Sequence, residues 1–165
     1  MNMLAAIRPD SWNFPLLLHV GGAMILVGGA LSGASALAFA RGEARILRLG
    51  YFSLLAVAFP GYVLMFGGAT WIYSKEGLAD APIDSAWPAI GFVVAEAGGL
   101  LFLVSLIVGG IGVRRLRSGR GTGLLKATMG ISLVLLAAYV VAIWAASPTK
   151  GSYEQVAAQV RRSGA

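Results

Sequence analysis

Four stretches of this chain, 14–40, 50–73, 88–113 and 124–146, are each long and apolar enough to cross a lipid bilayer as a helix. About 20 apolar residues are needed to cross a hydrocarbon core of roughly 30 Å. Hydrocarbon offers no water to satisfy backbone N–H and C=O groups, so each crossing must close its own hydrogen bonds. Apart from His19 and Glu96, none of the stretches carries a residue that titrates near or below neutral pH. The pattern predicts an all-α polytopic membrane protein. Its domain is a four-transmembrane-helix bundle over 1–146, followed by a short tail over 147–165. The stretches run slightly long, which predicts tilt or overhang into the headgroups.

Composition agrees. The chain is 58% hydrophobic and 12% charged, against roughly 25% charged in an ordinary soluble domain. Its mean hydropathy of +0.78 leaves no room for a sizeable soluble domain. With no cysteine, disulfides, thiolate metal sites and cysteine nucleophiles are excluded. Small residues near Ala38-Phe39-Ala40 loosely mimic a signal-peptide cleavage site. The apolar region before them is about twice the usual length, and Arg8 is balanced by Asp10, so a retained helix is expected.

Charge placement predicts orientation. On one side the loops hold Arg41, Arg45, Arg48, Arg114, Arg115, Arg117, Arg120 and Lys126 against Glu43 alone. On the other, Arg8, Lys75, Lys150, Arg161 and Arg162 are matched by Asp10, Glu76, Asp80, Asp84 and Glu154. The positive-inside rule makes the first side cytoplasmic and both termini non-cytoplasmic. It also accounts for the net charge of +6 without nucleic acid as a partner. Trp12, Trp71, Tyr73, Trp87 and Trp144 fall at the outer ends of the spans, the headgroup level that amphipathic rings prefer, and Tyr51 and Phe39 mark the inner boundary. Asp84 or Ser85 is a cap for the third span, with Pro88 in its first turn. In the tail, Ser152 and Gln155 form a capping box. Tyr153, Val156, Ala157 and Val160 then follow helical spacing, as an interfacial helix would.

Twenty-three glycines point to close helix–helix contacts, with a GxxxG at Gly29 and Gly33 and a small pair at Ser105 and Gly109. The segments His19-Val20-Gly21-Gly22 and Glu96-Ala97-Gly98-Gly99 look alike, and a parallel repeat of two hairpins would produce them.

Ionisable groups in hydrocarbon are costly, so each invites a partner. At 1.5 Å per residue His19 lies about 8 Å deep and Glu96 about 12 Å deep. A His19–Glu96 contact is therefore expected, with Gly22, Ala23, Leu26 and Ala30 beside the first and Phe92, Gly99, Leu100 and Leu103 beside the second. Tyr62 approaches the same region, and Pro60 breaks the helical ladder and frees the Ala56 carbonyl. Three roles stay open. The pair is a structural clasp in a bundle or accessory subunit; it is a site for protons, an ion or a small ligand; or His19 binds haem or copper, with Met24 or Met65 as thioether ligands. Lipid is the expected partner, with a homo-oligomer or larger membrane complex beyond it. Nothing in the sequence supports hydrolysis: there is no second histidine, nucleophile elbow or phosphate-binding glycine loop.

The run Phe14-Pro15-Leu16-Leu17-Leu18-His19-Val20-Gly21-Gly22-Ala23, with Val27-Gly28-Gly29 and Trp71-Ile72-Tyr73-Ser74-Lys75-Glu76-Gly77, resembles small uncharacterised membrane proteins of actinobacterial type. More distantly it is similar to the copper-resistance D type. The first resemblance implies four helices in a bacterial cytoplasmic membrane and no established activity. The second implies copper handling with His19 as the matching residue.

Overall fold

The computed structural model describes residues 13–75 and 86–146. The described residues are all helical apart from short turns: α1 (Asn13–Phe39), α2 (Ala44–Ser53), a π-helical turn (Leu54–Ala58), α3 (Phe59–Lys75), α4 (Ala86–Arg115), a 3₁₀ turn (Leu116–Ser118) and α5 (Thr122–Ala146). The segments α2, π turn and α3 run on as one helix over Ala44–Lys75, so four helices in all are long and apolar enough to cross a membrane. The second begins six residues before the expected start at Gly50, because Ala44–Leu49 already follows helical geometry. Pro88 falls in the first turn of α4, where its missing N–H costs no bond. The expected caps Asp84 and Ser85, the tail helix over Ser152–Val160 and the aromatic Trp12 lie outside the described residues.

Both tight connections use left-handed backbone. Arg41 (φ 45°) and Gly42 (φ 88°) turn the chain between α1 and α2, and Glu43 N–H donates to the Ala40 carbonyl at 2.7 Å. After the 3₁₀ turn, Gly119 (φ 69°) caps the helix end, its N–H donating to Leu116 at 3.2 Å. Gly121 (φ 110°) is constrained twice, since a Cβ there would also strike the Gly112 carbonyl.

The helices pair as two antiparallel hairpins. The first pairs α1 with the whole of α2–π–α3, and the second pairs α4 with α5. The hairpins dock mainly through α1 against α5 and, near the short loops, through α2 against α4. Within the first hairpin the contact is backbone on backbone. A Cβ on Gly22 would collide with Met65 N and lie 2.8 Å from the Gly61 carbonyl; on Gly29 it would sit 2.6 Å from Ala58 N, and on Gly33 2.9 Å from the Gly50 carbonyl. From the other side, a Cβ on Gly61 would strike Leu26 N, and one on Gly68 would meet His19 N at 2.5 Å. Gly22 and Gly29 are seven apart in α1, as are Gly61 and Gly68 in α3. That spacing keeps one stripe of each helix facing the other along a shallow crossing. The Ser53 hydroxyl tightens the seam, donating to Gly29 at 3.1 Å and lying 2.8 Å from Ser32. Pro60 follows directly on the π turn, whose widened ladder bonds Phe59 N–H to Leu54. The backbone irregularity around the proline is spread over the π turn Leu54–Ala58.

Polar and apolar residues are both found in the interior. Thr128, Ser105 and Ser132 are buried between α4 and α5, with Thr128 Oγ1 donating to Leu124 (3.0 Å) and Ser132 Oγ to Thr128 (2.9 Å). Large apolar side chains point outward, Met24 at 72% and Trp144 at 79% exposure among them. Leucines such as Leu26, Leu54 and Leu125 share the interior with small and hydroxylated residues, while many equally large apolar side chains remain outside.

Neighbouring glycines give a matched test of the seam. Gly22→Ala places its methyl in the second helix's backbone and is expected to cost about 1–3 kcal/mol in thermal unfolding in detergent. Gly21→Ala, with nothing within 4 Å, leaves the midpoint unchanged or raises it. Equal effects would refute a backbone contact at Gly22.

Candidate functional site

Between the two hairpins, toward the end where α1 begins and α5 ends, is a half-open cavity of about 430 Å³. Leu26 closes it at depth, and Tyr73 and Phe92, packed edge to face at 4.9 Å, bridge the hairpins near its upper rim. Its wall is apolar apart from His19, Tyr73 and Tyr139 and the backbone groups beside them.

His19 is held in place. Gly68 lets α3 approach α1 at Pro15 and His19, and His19 Nδ1 lies 3.0 Å from the Met65 carbonyl. A carbonyl oxygen only accepts, so Nδ1 carries the hydrogen in this contact. In the neutral ring that leaves Nε2 as a lone-pair acceptor, at a wall otherwise poor in polar groups. A histidine so oriented receives a hydroxyl or amide donor, or a proton.

Three tyrosines build the rest of the site and its supports, each resting on α4 glycines. Tyr62 fits against Gly99 so closely that a Cβ there would overlap its hydroxyl, which donates to the Ala95 carbonyl at 3.1 Å. Tyr139 lines the cavity, and its hydroxyl lies 3.2 Å from where a Gly98 Cβ would stand. Toward the short loops, Tyr51 sits on Gly109 and Gly110. The Tyr139 hydroxyl is buried with no hydrogen-bond partner among the described residues, a state that costs about 1–3 kcal/mol and is relieved when a partner arrives.

The expected His19–Glu96 contact is not formed. Among the described residues no hydrogen bond or ion pair joins them, and α1 packs on α3 and α5, with α4 diagonal to it. Glu96 is exposed on the outer face of α4, one residue beyond Ala95, which faces the cavity. A step of about 100° per residue separates those directions, and equal depth along two helices does not fix their facing. Of the residues expected beside Glu96, Phe92 and Gly99 face inward with the cavity and Tyr62, while Leu100 is 67% exposed. Met65 does meet His19, through its carbonyl, whereas Met24 points outward on α1 and does not join the site. Among the described residues no three His, Cys, Asp or Glu side chains gather in a metal-holding group.

The two polar-x-Gly-Gly segments do different work. In α1, Gly22 admits a helix backbone and Gly21 faces open space; in α4, Gly98 and Gly99 each admit a tyrosine. Gly109 seats the Tyr51 ring and also meets Thr128 of α5, whose hydroxyl donates to the Ser105 carbonyl at 3.3 Å. Tyr139 was not singled out by sequence, because one tyrosine in an apolar span has no signal until its neighbours are known. No protein-family model, curated protein or solved structure matches the chain.

A double-mutant cycle tests the tyrosine seat. Gly99→Ala alone is expected to cost about 1–3 kcal/mol in thermal unfolding, since its methyl overlaps Tyr62. Combined with Tyr62→Leu, which shortens the opposing side chain, it costs clearly less than the sum of the two single changes. Additive effects would rule out the contact.

Proposed function

We propose that this chain is a multi-pass integral membrane protein of a bacterial cytoplasmic membrane that binds a small lipophilic molecule carrying one polar donor group. The observation that carries the reading is the cavity between the hairpins, where a largely apolar wall presents a histidine fixed by the Met65 carbonyl. A cavity of about 430 Å³ is within the range of small-molecule sites, which are mostly apolar with few placed polar groups. Ligand would enter from the bilayer, its apolar body between Phe66, Ala142 and Phe92 and its donor on His19 Nε2. The unpartnered Tyr139 hydroxyl supplies a second polar contact after a small rotation. Glu96 takes no part in this site; facing outward on α4, it is the group that a neighbouring subunit would have to satisfy in a larger complex.

Membrane residence is supported by the four long apolar helices and by the outward large hydrophobics. The orientation proposed, both termini non-cytoplasmic, rests on the arginines gathered at the short loops.

A photoreactive fatty alcohol is the probe for the cavity. In proteoliposomes it is expected to label peptides around His19, Phe66 and Phe92. Ala69→Phe with Ala142→Phe, which fills the cavity, removes that labelling while leaving thermal stability within about 1–2 kcal/mol. Undiminished labelling in the filled variant would sink the reading. The absence of cysteine makes sidedness directly measurable. In intact cells a membrane-impermeant maleimide is expected to label Ser74→Cys and to spare Ser118→Cys until the membrane is opened; the reverse pattern would invert the proposed orientation.

A further inference from the structure

At the short-loop end, on the opposite end of the bundle from the histidine cavity, residues of α2 and α4 line a second cleft of about 500 Å³. Its lining is of two kinds. Arg48 from α2, Arg114 from the last turn of α4 and Arg117 from the 3₁₀ turn bring three guanidinium groups to one opening. Phe52 and Val113 form the apolar part of the wall. Glu43 and Glu96 are the acids among the described residues, and neither forms an ion pair with these arginines. Three arginines thus share one opening without a described acidic partner, a charge balance that favours an anion.

We propose that this cleft binds an anionic phospholipid, with Arg48, Arg114 and Arg117 holding its phosphate and Phe52 and Val113 receiving the glycerol and the start of an acyl chain. Guanidinium forks match phosphate oxygens in pairs, more tightly than a point charge does. The position fits a headgroup, because Arg114 stands where the apolar stretch of α4 gives way to the charged turn. The apolar wall separates a lipid from a free phosphate, which would use the arginines alone. Basic pockets between membrane helices take lipid headgroups in this manner. The proposal rests on the membrane reading above and is independent of the ligand in the histidine cavity.

The full chain, purified in mild detergent, is tested by native mass spectrometry against phosphatidylglycerol and phosphatidylcholine. Extraction from membranes only by detergent separately checks membrane residence, so a soluble protein would fail that step rather than the binding step. The wild type is expected to retain phosphatidylglycerol over phosphatidylcholine by about ten-fold or more. Joint replacement Arg48→Gln, Arg114→Gln and Arg117→Gln removes that preference. Arg41→Gln, Arg45→Gln and Arg120→Gln, an equal loss of charge at the same end outside the cleft, preserves it. Arg48→Lys, Arg114→Lys and Arg117→Lys, which keeps charge and folding while losing the forked donors, gives intermediate retention. Equal loss in both glutamine variants, or no preference in the wild type, would overturn the site. Displacement of the lipid by millimolar glycerol phosphate or inorganic phosphate would make the ligand a soluble phosphate and overturn the lipid assignment.

Discussion

The close approach of α1 to the second long helix is the contact on which the rest of this bundle depends. Gly22, Gly29 and Gly33 on one side and Gly50, Gly61 and Gly68 on the other leave backbone against backbone, with no room for a methyl group. In the bilayer setting proposed above no hydrophobic drive brings helices together, so the gain would come from dense van der Waals contact and a few hydrogen bonds. The Ser53 hydroxyl adds one of these to the Gly29 carbonyl. The seam also sets the histidine: by admitting α3 at Gly68, it puts the Met65 carbonyl within reach of His19 Nδ1.

The hairpins meet by a different device. Tyrosine rings from the first, Tyr51 and Tyr62, rest in glycine notches of α4, so on that side a ring stands between the hairpins, while α1 meets α5 in the main contact between them. Two packing modes thus coexist in one bundle. The hydroxyl of Tyr62 finds the Ala95 carbonyl, while that of Tyr139 finds nothing among the described residues. Of the two buried hydroxyls without a partner among the described residues, Tyr139 stands at the cavity wall and Ser105 between α4 and α5.

The two ends of the bundle differ in chemistry. At the end where α1 begins, a largely apolar cavity offers a fixed imidazole; at the short-loop end an arginine-lined cleft offers charge. The proposed ligand and the proposed phospholipid would therefore occupy opposite ends, and neither requires the other.

Length and apolarity alone determined the four helices, because a segment of some twenty apolar residues has few other ways to satisfy its backbone. The glycines were legible as contacts, since small residues have an evident use between helices, but not which surface each would meet. His19 was legible as a polar group needing a partner. Its partner was not, because depth along a helix can be counted from sequence while rotation about the bundle cannot. The tertiary arrangement put α4 diagonal to α1, turned Glu96 outward, and gave His19 a backbone carbonyl in place of a carboxylate. It also decided that two similar glycine pairs would serve unlike purposes, Gly22 receiving a helix and Gly98 and Gly99 receiving tyrosines. A glycine in sequence records only that a side chain is missing; what fills the space is chosen by the neighbouring helix.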